Sequence, residues 1–369
     1  MSKIVNVLLI FVFDCDKIEV WQLFYFFDIK LERSSKNHKY RYLILRYRVV
    51  VNWMKKRVTL VDIAKATGYS VNSVSRALMD ASDISEATKT IIIDKANELG
   101  YIPNLNAASL KKGNSKIIGI LYDDLLNPYF NTIIYYLERI LSARNYTIVT
   151  YRSREFDLEV FSNIVSRNLE GLISFLTPTL EVEKRIANNY LPIVMIGRKA
   201  DCISSVYAID KDIGRLAAKA IIEENCKRPI YIGETEKISI SRERAIGFYE
   251  EMQENNLECK LYYCETQDEL PSVISKALMN DVDSIFCFSD FLAFKAISYL
   301  TKIGRNDILI IGVDNIREEI PFPFPIWSIG QNKEKIANDA IELLFKQING
   351  VDNEIKFIVE EIYLVKEIN

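Results

Sequence analysis

The stretch VDIAKATGYSVNSVSRALM (61–79) gathers short hydroxyl and amide side chains around a single arginine, Arg76. Asn and Arg read adenine and guanine edges through paired hydrogen bonds, and Ser hydroxyls bind phosphate oxygens. Val71, Asn72, Ser73, Ser75 and Arg76 thus make one face suited to bases and phosphates. The competing reading is a solvated face on an ordinary helical hairpin. Other chemistries are poorly served. His38 is the only histidine, so from Met54 onward no Ser–His–Asp or Cys–His arrangement and no histidine-based zinc site is available. The six cysteines form no CxxC pair, which fits reduced thiols in a cytoplasmic protein. Neither GxxxxGK nor a GxGxxG after a strand is present. The expectation is no enzyme, no catalytic residue, no metal and no cofactor.

The elements that present this face follow from local signals. Thr59 caps a helix from Leu60 to Ala66, with Asp62 near its positive end. Leu60, Ile63 and Ala64 share its inner face, and Gly68 ends it in a left-handed conformation. A second helix starts near Ser70 or Val71 and turns Val74, Ala77 and Leu78 inward, giving a helix-turn-helix. Ser85 caps a third helix ending at Gly100, whose Ile91, Ile92, Ala96 and Leu99 are expected to close the core. Pro103 then breaks the chain. The following NLNAASL is too short to be a stable helix alone, and reads either as a linker or as a segment that folds on DNA.

From Lys116 the texture changes. IIGILY, YTIVTY, GLISF, PIVMI, PIYIG, KLYYC, SIFCFS and ILIIGV are continuous apolar runs, expected to be strands covered on both faces. Helix-length segments such as 129–144, 211–225, 241–256 and 332–349 separate them. This alternation implies an α/β body with doubly wound parallel sheets in two lobes, and a ligand cleft at the strands' carboxyl ends. Up to Lys112 there are 18 basic and 11 acidic residues, against 29 and 39 in the remainder. The asymmetry suggests a basic N-terminal part that meets a polyanion and an acidic body that does not, with chance clustering as the competing reading.

Residues 1–53 differ from both parts. IVNVLLIFVF is too short to cross a bilayer and lacks a signal-cleavage site. The expectation is an atypical leader upstream of a start at Met54, with a membrane anchor or accessory segment as the alternatives.

TLVDIAKATGYSVNSVSRAL, followed by ISEATK, ELGYIPN and AASL, resembles the DNA-binding domain of the lac-repressor (LacI/GalR) family of bacterial transcriptional regulators. NPYF, PIVMIGR, SRERAIGF, FSDFLAF, IGVDN and IGQN are similar to that family's effector domain, itself like periplasmic sugar-binding proteins. The resemblance implies a helix-turn-helix domain over 57–103, a hinge helix and linker over 104–115, and a two-lobed effector-binding and dimerisation domain over 116–369. It implies DNA contacts from Thr59, Ser70, Val71, Asn72, Ser73, Ser75, Arg76 and Asn104. Leu110 would wedge between base pairs in the minor groove, with Ala107 letting two hinge helices pack. Effector contacts would fall on Asn127, Phe130, Arg244, Asp290, Asp314, Trp327 and Gln331, with Phe291 a further aromatic platform.

The function implied is a cytoplasmic homodimeric regulator, a repressor, on a near-palindromic DNA operator, controlled by a small-molecule effector such as a sugar. The alternative weighed beside it is a secreted or membrane-tethered sugar-binding protein without a DNA role. Two departures set this chain apart: Asn225-Cys226 replaces the family's usual Gly-His, and Ser289 stands where Asn often precedes the aspartate.

Overall fold

The computed structural model describes residues 58–103, 114–124, 126–186, 191–351 and 354–366. They belong to two units that divide after Asn104. The leader 1–53, Asn104, Ala107, Leu110 and nearly all of the expected hinge helix lie outside the described residues.

The first unit is three helices: α1 (Leu60–Thr67), α2 (Val71–Leu78) and α3 (Glu86–Leu99). The Thr59 amide donates to Asp62 Oδ2 at 2.9 Å, closing the first turn of α1. Gly68, at φ 76°, ends that helix, and its amide donates to the Ala64 carbonyl. Ser70 opens α2 by accepting the Ser73 amide at 3.0 Å. Ile63, Ala64, Val74, Ala77, Ile92 and Ala96 form the core. Ile91 and Leu99, expected in that core, point outward at 51% and 36% exposure. The inner stripe of α3 is Lys89, Ile92 and Ala96, and a narrow three-helix core has room for only one stripe per helix.

The second unit runs β1 (Ile117–Tyr122), α4 (Pro128–Ala143), β2 (Thr147–Arg152), α5 (Leu158–Val165), β3 (Gly171–Ser174), α6 (Leu180–Ile186), β4 (Ile193–Ile196) and β5 (Ser204–Tyr207). It continues with α7 (Asp210–Glu223), β6 (Pro229–Glu234), α8 (Ser239–Glu254), β7 (Lys260–Cys264), α9 (Leu270–Leu278), β8 (Ser284–Cys287), α10 (Asp290–Lys302) and β9 (Leu309–Val313). Then follow β10 (Trp327–Gln331), α11 (Lys333–Ile348), β11 (Phe357–Val359) and β12 (Ile362–Val365).

Two six-stranded sheets result, ordered β11-β5-β4-β3-β1-β2 and β12-β10-β9-β8-β6-β7. All ladders are parallel except β10 with β12. The chain passes between lobes three times: from β5 into α7, from β10 into α11, which packs on β3, β4 and β5, and from β11 to β12. The continuous apolar runs of β1, β3, β4 and β8 are buried throughout or nearly so, as strands covered on both faces must be. YTIVTY and KLYYC depart from the expectation of like burial: β2 and β7 are largely open, because each is the edge strand of its sheet. Strands β5 and β10 carry Ser, Trp and Gly instead of an apolar run, and for that reason give no strand signal in the sequence.

Candidate functional site

In the first unit α2 buries Val74 and Ala77 and turns Val71, Asn72 and Arg76 to solvent, with Ser73 and Ser75 partly exposed. Ser70 Oγ lies 2.8 Å from Ser73 Oγ, and the Thr59 hydroxyl donates to Asp62 at 2.6 Å. These three hydroxyls are therefore engaged at helix starts. Arg76 is also engaged: its Nε donates to Asp83 Oδ1 at 3.1 Å and its terminal nitrogen lies 2.5 Å from the same oxygen. The Arg76 hydrogen bond holds the Asp83 carboxyl below the ordinary range. Asp83 was not singled out from sequence, since an acidic residue beside a DNA-facing arginine carries no motif.

Between the sheets of the second unit lies a cleft of about 540 Å³ at the strands' carboxyl ends. Asn127, Phe130, Arg244, Asp314 and Gln331 all line it. Asn127 caps α4, its Oδ1 accepting the Tyr129 amide at 3.0 Å, with Pro128 in the first turn. Phe130 is fixed by edge-on contacts to Phe175 (ring centroids 5.1 Å apart) and Tyr129 (5.7 Å). Arg244 is 7% exposed, and its Nε donates to Asp210 Oδ1 at 2.9 Å. A terminal nitrogen donates to the Phe288 carbonyl, and the guanidinium lies 4.8 Å from the Phe288 ring centre. Burial raises the Asp210 carboxyl, opposed by Arg244, and raises Asp314 well above the ordinary range.

Asp290 and Trp327 do not line the cleft. Asp290 is fully buried, and its two oxygens accept the Ser328 hydroxyl at 2.6 Å and the Ile316 amide at 2.8 Å. Ser328 Oγ in turn accepts the Asn315 amide at 2.9 Å. Asp290 thus stands behind Asp314 and Asn315, which hold the left-handed angles φ 103° and 45°. Trp327 opens β10, so four residue rises of about 3.3 Å separate it from Gln331 at the cleft end. There its ring packs 4.6 Å from Lys366 Nζ. Phe291 lies in a separate groove with Phe294, Phe322 and Phe324, under Lys295.

Sequence reasoning missed Asp210, Glu234, Asp123 and Thr177 as cleft residues. Each sits at, or within three residues past, the carboxyl end of a strand, and that position was the available signal. Asn225, in place of the family's Gly, adopts φ 59° after α7, a conformation Asn tolerates best among residues with a Cβ. Among the described residues no helix is long and apolar enough to cross a membrane.

Residues 59–104 match the model for bacterial regulatory proteins of the lacI family, and residues 218–366 match a periplasmic binding protein-like domain. The chain is 29% identical over 314 residues to the HTH-type transcriptional repressor PurR of Aliivibrio salmonicida, covering 80% of this chain and 94% of that protein. To the HTH-type transcriptional regulator MalR of Clostridium butyricum it is 27% identical over 331 residues, covering 84% and 98%. Its fold is shared with the lac repressor dimer bound to operator and the anti-inducer ONPF (TM-score 0.72, 19% identity, covering 84% and 98%). It is shared also with the transcriptional regulator CelR in complex with cellobiose (TM-score 0.59, 22% identity, covering 84% and 98%).

Proposed function

Since the chain belongs to the lacI family of bacterial regulatory proteins, we propose that it is a sequence-specific repressor of transcription acting as a cytoplasmic homodimer. It binds a near-palindromic operator and answers to a sugar or sugar derivative in the interlobe cleft. The observation that carries this reading is the split of α2 into a buried side, Val74 and Ala77, and an open side, Val71, Asn72 and Arg76. A helix so divided can lay base-reading groups on the major-groove floor. The working division is a leader over 1–53, the helix-turn-helix over 57–103, hinge and linker over 104–115, and the effector and dimerisation body over 116–369.

The cleft supports the second half of the reading. Arg244, Asp210, Asp314 and Gln331 offer donors and acceptors side by side, and Phe130 offers an aromatic face, a combination that suits a polyol ring. Cellobiose in the CelR neighbour agrees with that chemistry. Effector occupancy then shifts the population of lobe arrangements that the operator-bound dimer selects. No part of this scheme asks for bond-breaking chemistry, in keeping with relatives that are regulators.

In vitro selection of duplexes by the full chain at moderate salt, followed by sugar-induced release, tests the reading. Recovery of a two-fold-related consensus whose binding changes with a sugar is expected. Binding with no preference over random competitor would sink it.

A further inference from the structure

The cleft is longer than its deep polar end. On the first lobe its wall is built by residues just beyond β5, β4, β3, β1 and β2 in spatial order, represented by Asp210, Arg198, Thr177, Asp123 and Arg154. Neighbouring strands lie about 4.8 Å apart, so this wall extends for roughly 19 Å. The facing wall, from Gln331 through Asp314 and Phe288 to Glu234, follows β10, β9, β8 and β6 across about 14 Å. A single pyranose ring in the deep end would leave the β1–β3 portion unused.

That portion holds unmet hydrogen-bonding capacity. Asp123 Oδ1 and Thr177 Oγ1 are buried, yet neither finds a partner among the described residues. Both line the cleft, just past the ends of adjacent strands. A buried polar atom left unpaired costs stability, which a ligand hydroxyl reaching it would recover.

The charge balance selects the ligand's character. Carboxyl groups at Asp123, Asp124, Glu155, Asp210, Glu234 and Asp314 outnumber the cations of Arg154, Arg198, Lys237 and Arg244. The Arg244 charge is already met by Asp210, while N–H groups beyond those given to Asp210 and the Phe288 carbonyl remain for neutral hydroxyls. Burial resists ionisation at Asp123, Asp210, Glu234 and Asp314, so the wall presents carboxyl groups suited to exchanging hydrogen bonds with neutral hydroxyls. Beyond Arg198 the cleft opens sideways past Lys199 and Lys211, and both are occupied elsewhere. Lys199 lies over the Phe357 ring at 4.5 Å, and Lys211 pairs with Glu250 at 2.8 Å.

We propose, resting on the sugar-effector reading above, that the cleft takes an uncharged sugar of at least two rings. One ring sits at Arg244, Asp314 and Gln331. The second lies in an outer subsite where Asp123 and Thr177 receive its hydroxyls.

Isothermal titration of the full chain with maltose, cellobiose, trehalose, glucose, glucose 6-phosphate and trehalose 6-phosphate tests this. One neutral disaccharide should bind at least tenfold more tightly than glucose and than either phosphate. Thr177→Val should weaken that disaccharide fivefold or more while leaving glucose affinity unchanged and the melting temperature no lower than that of the parent chain, and Asp123→Asn should weaken the disaccharide likewise. Tightest binding by a phosphate, equal affinity for glucose and the disaccharides, or equal loss of both in Thr177→Val would overturn the outer subsite and leave the sugar reading intact. Failure of every one of these sugars to bind would overturn the sugar reading itself.

Discussion

Gly214 lies so close to Arg244 that a Cβ on it would stand 2.0 Å from the Arg244 carbonyl oxygen. Its counterpart is Gly247, whose added Cβ would stand 1.9 Å from the Lys211 carbonyl oxygen. Helices α7 and α8 therefore touch backbone to backbone. That close approach brings Asp210, the first residue of α7, within 2.9 Å of Arg244 on α8. Gly247 of SRERAIGF is thus a packing requirement that sets the reach of the cleft arginine.

Gly247→Ala should force the two helices apart and lower the unfolding free energy by about 1–3 kcal/mol or more, as overpacking does. Urea unfolding measures the loss, and effector-induced release of operator should fail in the same variant. A fully stable Gly247→Ala protein would show that the helices can slide without cost.

Arg244→Ala should abolish the effector response. It also leaves Asp210 buried without its cation, a change that typically costs about 3–5 kcal/mol when a buried pair is broken. Arg244→Ala combined with Asp210→Asn should recover much of that stability but none of the response. Operator selection by the double variant should be unchanged, and loss of DNA preference would tie Arg244 to folding instead of ligand.

Burial raises Asp290 to about 7, opposed by hydrogen bonds from Ser328 and Ile316. Between its ordinary value of 3.8 and about 7 the folded chain holds a proton that the unfolded chain releases. Stability contributed by this group therefore declines as pH rises through that window and levels off above it. Asp290→Asn should flatten the dependence of unfolding free energy on pH between about 5 and 7.5. An unaltered slope would assign the effect to other carboxyls.

Arg76→Ala should weaken operator binding by about 1–3 kcal/mol and relax base preference at one position, the signature of a direct base contact. Because Asp83 holds Arg76 in the free protein, Asp83→Asn should raise affinity for all duplexes, random ones included. Quantitative selection on both variants separates these outcomes, and unchanged site preference in Arg76→Ala would remove its base-reading role.

Within 58–103 there are four Lys or Arg residues and six Asp or Glu, so the folded helical body is not basic. The excess positive charge before Lys112 resides in residues 1–57, which hold 12 basic and five acidic side chains, and in Lys111 and Lys112. Of these, Lys55, Lys56, Arg57, Lys111 and Lys112 also belong to a chain that starts at Met54, and phosphate neutralisation should fall chiefly to them. Replacing Lys55, Lys56 and Arg57 by Gln should reduce the slope of log affinity against log salt by up to about 0.9 for each phosphate no longer neutralised. A slope equal to that of the parent chain would place phosphate binding on the helices themselves.

Helix starts and stops were plain in the sequence wherever a single residue performs a local task. Ser70, Ser85, Gly68 and Gly100 act within a few residues of themselves, and each stands where its type requires. The continuously apolar buried strands were equally plain. Strands β5 and β10 were not: they are buried too, but carry Ser205 and Ser328, whose hydroxyls donate to the Ile203 carbonyl and to Asp290 across the fold.

The division in the cleft has the same origin. The resemblance to the family's effector domain sufficed to name Arg244, Asp314, Gln331 and Phe130 as facing one space. That Asp290 stands behind Asp314 and does not line the cleft, that Trp327 sits at the far end of its strand, and that Asp210 is the partner of Arg244 depended on tertiary structure. These facts are distances between segments tens of residues apart, set by helix packing and strand order, whereas capping and periodicity act through the chain's own neighbouring atoms. By itself the sequence determined a helix-turn-helix and a two-lobed cleft; only packing in three dimensions decided which charged groups in that cleft oppose, restrain or await one another.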